Sequence, residues 1–301
     1  MGSVIFTKSR TAEFTEMPLE ETFQWMEKIG CHLANEIGFL KDFVQQYAEE
    51  IGELLSGETI SRFKGVAMSL KYPYENFKAY EDSERRHHVE QGFLVQSWSS
   101  LGSLLESTLQ IFLAIHYRDY VKSEWYKWDR DAIQQISDEL SGGFKESLTK
   151  LVKENEDGGK PGLTKRILKS FLEKAKGILK DKLEDPRIEK INLSDLINFY
   201  FGQGVIQDTE YTQGDLDKIR GYRNAIHAFQ KREIGSWEEL NKHIKDLILL
   251  SIDMLYRLPD IPQEVPLPDW YVENKSSIIM QEHKWFQYKM ELTLDETKTT
   301  S

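Results

Sequence analysis

Apolar residues recur along most of this chain at three- and four-residue spacing, the period of a helix with one buried face. Between 18 and 55 the series runs Leu19, Phe23, Met26, Ile29, Leu33, Ile37, Leu40, Phe43, Val44, Tyr47, Ile51, Leu54 and Leu55. Only 8 prolines interrupt the 301 residues, and four of them follow residue 258. Strand-like alternation is scarce. These features predict an all-α protein: a helical bundle of long antiparallel helices, with a helical insert and a partly extended C-terminal tail.

The period places the first long helix from Pro18, a favourable first helical position, with Gly57 as its stop. A shorter helix over 61–70 follows. The aromatic stretch Tyr72, Pro73, Tyr74, Phe77 and Tyr80 reads as a connection, and a second long helix spans 89–120. Residues 141–162 carry turn and loop chemistry. Further helices are expected over 163–183, 193–201, 214–229 and 236–258. Ser236 would cap the last of these, with Glu239 three residues on completing a capping box. Pro262, Pro266 and Pro268 suit an extended segment, and 277–294 reads as a strand pair packed on the body or a docked tail. The domain reading is one helical domain over 1–258, in which 141–190 is a loop plus lysine-rich helical insert, and a C-terminal extension over 259–301.

Composition narrows the function classes. The lone Cys31 excludes a disulfide framework and multi-Cys metal sites, and suits a reducing cytosol. No apolar run approaches the roughly 18 residues that cross a bilayer, and the first 15 residues lack the apolar stretch of a signal peptide. A cytoplasmic protein with no membrane association is expected. The net charge of -11 argues against non-specific nucleic-acid binding, while leaving room for a local basic site.

Phosphate-loop, HExxH, GxSxG and calcium-loop signatures are absent. His32, His116 and His243 each have one carboxylate a helical turn on, at Glu36, Asp119 and Asp246. One pair is too few ligands for a metal, so no metal site and no cofactor are expected.

One constellation stands apart: Arg220, Arg223, Asn224 and His227. At about 100° per residue, all four fall on a helical stripe about 100° wide. Two guanidiniums, an amide and an imidazole on one stripe suit an anion. Arginine offers a permanently charged fork to a phosphate. An imidazole titrates near neutral pH and can move a proton to or from a ribose oxygen. The alternative is a helix whose arginines pair with acids, and Asp217, three residues before Arg220, is placed to do so.

The Arg-Asn-Ala-Ile-His run at 223–227, late in a helical domain and followed by a long closing helix, resembles the HEPN superfamily. The signature of that family is an Arg and a His separated by four to six residues. Six residues separate Arg220 from His227; three separate Arg223 from His227, just outside that range, a departure that leaves open which arginine is the catalytic one. The stretch from Trp98 to Glu106 resembles the family's packing helix, and 236–258 its closing helix. The resemblance covers 89–120 and 193–258. It leaves the first 80 residues, the lysine-rich insert and the tail unexplained. It implies a metal-independent endoribonuclease with a composite site at a homodimer interface. Its setting would be that of a toxin or effector in antiviral defence or abortive infection, with an antitoxin or defence-system partner protein. Other members are catalytically inactive and bind nucleotides or partners as scaffolds. Lys165, Arg166, Lys169, Lys176 and Lys180 on the lysine-rich helix would collect RNA electrostatically.

Overall fold

The structure is a computed structural model. It describes residues 3–44, 54–117, 191–202, 209–224 and 233–293, together with positions 122, 134–136, 138, 146, 169, 170, 173, 174, 177 and 205. The chain divides into two compact units, one formed by Met1–Ile115 with Leu193–Ser301, the other by His116–Asn192.

The first unit is all-α apart from two short strands. In chain order it contains β1 (Ser3–Arg10), α1 (Ala12–Thr15), α2 (Leu19–Val44), α3 (Gly57–Ser69), α4 (Tyr72–Lys78) and α5 (Arg86–Ile115). It continues with α6 (Leu193–Gly202), α7 (Gln213–Arg223), α8 (Trp237–Arg257), α9 (Asp269–Trp285) and β2 (Phe286–Thr293). Among the described residues, no helix is long and apolar enough to cross a membrane.

The helical period read from the sequence is the period of burial. On α2, Phe23, Met26, Ile29, Leu33, Ile37 and Leu40 are all buried. They face α8 and α3. Gly30 lets α3 come close, since a Cβ there would stand 3.1 Å from the Ala67 Cβ. On α5 the buried series is Leu94, Trp98, Leu101, Leu105, Leu109 and Phe112. Helix α8 packs on α2, α5 and α7 and buries residues around much of its girth, including Leu240, Ile244, Leu247, Ile248 and Ile252. Its start is the predicted one: the Ser236 hydroxyl accepts from the Glu239 N–H, and the Glu239 carboxylate accepts from the Ser236 N–H.

Several boundaries differ from the sequence reading. Gly57 opens α3 rather than ending α2, because Ser56 caps the helix through the Thr59 N–H. Residues 45–53 of the expected first helix lie outside the described residues. The aromatic stretch at 72–80 is the short helix α4: Pro73 presets its first turn, and Phe77 is buried. Residues 277–294 split at Trp285 into the end of α9 and β2. The partner of β2 is an N-terminal strand that the sequence reading did not contain. The two strands pair antiparallel, with Ser3 opposite Thr293 and Arg10 opposite Phe286.

In the second unit, positions 169, 170, 173, 174 and 177 are helical and exposed, as expected for a lysine-rich amphipathic helix. Lys169 sits 3.9 Å from Glu173, both in solvent. Lys165, Arg166, Lys176 and Lys180 lie outside the described residues, as does most of the 141–190 insert.

Candidate functional site

Helix α7 carries the arginines and is held at both ends. Thr212 caps it with its hydroxyl accepting from the Asp215 N–H, and the Asp215 carboxylate closes a capping box on the Thr212 N–H. Leu216 and Ile219, three residues apart, anchor one face in the core. The opposite end holds Arg220 and Arg223 in the last turn, where positive charge opposes the negative end of the helix dipole. Asn224 closes the helix, its N–H donating to the Arg220 carbonyl.

Both arginines have acidic partners. The Arg220 Nε donates to Asp217 Oδ1 at 2.9 Å, with side chains 37% and 35% exposed. This is the within-helix pairing that the sequence left open. The Arg223 Nη2 reaches Glu106 Oε2 on α5 at 2.7 Å, with side chains 29% and 22% exposed.

That second pair depends on a notch in α5. A Cβ at Gly102 would stand 2.6–2.8 Å from Arg223 Cβ, Cγ and Cδ. The aliphatic stem of Arg223 therefore lies where only a glycine leaves space, and its guanidinium meets Glu106 one turn along α5. Four residues before Gly102, Trp98 packs its ring on Tyr222 with centroids 4.5 Å apart. The Tyr222 hydroxyl donates to Glu239 Oε1 at 3.1 Å. Gly235, at φ 62°, crosses this group closely; a Cβ there would lie 3.1–3.2 Å from Glu239, Trp98 and Tyr222. The positive φ and the crowding both require glycine.

The chain thus leaves the anchored end of α7 at Asn224 and returns to the same packing group by Gly235. His227 belongs to the span between them. It lies outside the described residues, with the rest of the expected helix over 225–229. The structure brings Arg220, Arg223 and Asn224 together at one helix end and adds Glu106 and Asp217 as their neighbours.

Two buried polar clusters had only half their members visible in sequence. His243 Nδ1 lies 3.1 Å from Asp246 Oδ2, both buried on α8. Asp246 Oδ1 also accepts from Arg10 Nη2 at 3.2 Å, and Arg10 in turn bonds the Glu210 carbonyl. Asp215, His243 and Asp246 each offer a donor atom within 4.8 Å of the other two. The Asp215 carboxylate already accepts from Lys242 Nζ at 2.7 Å and from Thr212. Burial pushes its pKa up, but Lys242 and Thr212 outweigh this and hold it well below the usual carboxylate range. Both acids therefore have a side-chain cation as counter-ion, and the cluster is a closed ion-pair network.

The second cluster joins α2 to α9. Glu36 is buried, with His32 Nε2 3.3 Å from its Oε2. The Tyr271 hydroxyl donates to Glu36 Oε1 at 3.0 Å, and Lys275 Nζ approaches the same oxygen at 3.4 Å. Tyr271 and Lys275 sit more than 230 residues away in sequence, beyond any spacing argument.

No family model, no curated protein and no solved structure matches the chain.

Proposed function

We propose that this chain is a metal-independent endoribonuclease of HEPN type, working from the cytoplasm as a toxin or effector of antiviral defence or abortive infection, with two copies joining their Arg220–His227 segments in one site. The supporting observation is the end of α7: two partly exposed arginines in one helical turn, capped by Asn224 three residues before His227.

In this reading the ribose 2′-oxygen attacks phosphorus and the 5′-oxygen leaves, giving a 2′,3′-cyclic phosphate and a 5′-hydroxyl. His227 takes the proton from the 2′-hydroxyl or returns one to the leaving oxygen. Arg220 or Arg223 stabilises the charge that gathers on the phosphoryl oxygens. Asn224 holds the imidazole or a phosphate oxygen. The lysine-rich helix, with Lys169 in solvent, collects the substrate.

Each arginine must exchange its carboxylate for phosphate. A partly exposed ion pair contributes only about 0.2–1 kcal/mol, so the present carboxylate partners oppose that exchange weakly. The same pairing supports a second reading, a catalytically inactive nucleotide- or partner-binding scaffold in which Asp217 and Glu106 permanently neutralise the arginines.

One experiment separates the two. Purified protein is incubated with RNA in EDTA, and the product ends are identified by mass. The ribonuclease reading expects cyclic-phosphate ends with native protein, none with His227→Ala, and faster cleavage at low substrate with Asp217→Asn, which frees Arg220. RNA binding without turnover in native protein supports the scaffold. Undiminished cleavage by folded His227→Ala refutes the role given to His227.

A further inference from the structure

The two arginines at the end of α7 are seated differently, and the proposed function leaves open which of them meets phosphate. At about 100° per residue, with Leu216 as zero, Ile219 falls near -60°, Arg223 near -20° and Arg220 near +40°. Leu216 and Ile219 are fully buried. Arg223 thus leaves α7 in the middle of its buried face, between the two core anchors. Arg220 leaves it on the flank, on the side of Asp217.

The contacts follow the faces. The Arg223 stem crosses α5 at Gly102, where a Cβ would stand 2.6–2.8 Å from its first three carbons. Its guanidinium is taken by Glu106 of the same helix at 2.7 Å. To turn toward a phosphate, Arg223 has to lift its stem out of the notch, and the end of α7 loses its seat on α5. Arg220 pairs only within its own helix, through Nε to Asp217. Among the described residues its two Nη groups have no hydrogen-bond partner. Arg220 and Asp217 are also both more exposed than Arg223 and Glu106. Free Nη groups are the fork that fits a phosphate, and turning them leaves α7 where it is. The two carboxylates oppose exchange weakly, so packing is what separates the two arginines.

We propose that Arg223 is a positioning residue, latched to α5 through Gly102 and Glu106, and that Arg220 is the arginine of α7 that holds the phosphodiester. This role rests on the ribonuclease reading and narrows its two arginines to one. Glu106 and Gly102 then serve the site without touching RNA: they fix the helix end that carries Arg220 and Asn224.

The test reverses the charges of the latch in the full chain. Glutamate has the same three carbons, Cβ, Cγ and Cδ, that Arg223 lays against Gly102. In Arg223→Glu/Glu106→Arg the stem therefore still fills the notch, and the ion pair re-forms with its polarity reversed. Each single variant sets like charges together. Each should lower the urea midpoint and slow RNA cleavage in EDTA by about a hundredfold, the cost of displacing a catalytic group by about 1 Å. The double variant should regain both the midpoint and most of the rate. The matching reversal within α7, Arg220→Asp/Asp217→Arg, should keep the midpoint but stay about a hundredfold or more below native, as when a donor to the transition state is removed.

A reversed latch that regains the midpoint but not the rate puts Arg223 on the phosphate and overturns the assignment. A reversed latch that does not regain the midpoint overturns the seat on α5, and so do single variants that cleave at the native rate. Arg223→Met and Arg220→Met ask the same question without exchanging charges. The straight methionine chain still lies along Gly102, so Arg223→Met should cleave faster than Arg220→Met; equal rates or the reverse order overturn the assignment. Native protein that leaves RNA intact refutes the ribonuclease reading itself, and the assignment falls with it. That outcome is distinct from the others because it is read before any variant is made.

Discussion

Gly102→Ala is the sharpest test of how α7 is seated. Alanine in a helix interior ordinarily gains about 1 kcal/mol over glycine. At Gly102 the added Cβ would stand 2.6–2.8 Å from the first three carbons of the Arg223 side chain. These atoms are next to the backbone, so rotating the guanidinium does not relieve the clash and α7 has to move. Overpacking of this kind costs about 1–3 kcal/mol, and the Arg223–Glu106 pair adds up to about 1 kcal/mol when it is pulled apart. Against the propensity gain, these terms leave a net loss of up to about 3 kcal/mol. Gly221→Ala, on α7 itself, is the control, because nothing lies within 4 Å of its added Cβ. It should stabilise by about 0.5–1 kcal/mol. The assay is urea unfolding followed by helical circular dichroism. The pair should shift the midpoint in opposite directions, and Arg223→Gly should lower the cost of Gly102→Ala in a double-mutant cycle. A Gly102→Ala protein as stable as Gly221→Ala would refute the close crossing of α5 and α7.

Burial pushes the Glu36 carboxyl up in pKa, but His32, Lys275 and Tyr271 together hold it below its ordinary 4.5. A depressed carboxyl contributes stability that is complete above its unfolded value and lost as pH falls through its folded value. The stability gap between native protein and Glu36→Gln should therefore narrow on acidification below about pH 5; a gap that stays constant down to about pH 3 removes Glu36 as the source. Asp253 has the opposite sign: burial raises its pKa, so Asp253→Asn should gain on native protein as pH rises through that value, read in the same titration. Trp285 is fully buried between Phe14 and Trp25, with ring centroids 5.0 and 5.1 Å away. Its replacement by alanine should cost about 3–5 kcal/mol in urea unfolding, and a loss under about 1 kcal/mol would contradict that packing.

What the sequence revealed was local. The start of α8 was legible because Ser236 and Glu239 complete their capping box within four residues. The pairing of Arg220 with Asp217 was legible for the same reason, being one turn long. Arg223 was not, because its acid, Glu106, lies on another helix and reaches it only across the notch at Gly102. Nothing distinguishes Gly102 from Gly221 in sequence; only the packing of α5 on α7 does. Strand β1 escaped notice because its eight residues acquire strand geometry from a partner 276 to 290 positions away. Density of aromatics hid α4, where Pro73 starts a turn and Phe77 buries it.

The pairing of β1 with β2 also sets a schedule. Translation proceeds at about 5–20 residues per second, so roughly 15–55 s separate the synthesis of Arg10 from that of Phe286. All of 116–192 is made inside that interval, before the unit that flanks it on both sides has its last helix or its second strand. For that interval the edge of β1 is an unclaimed template.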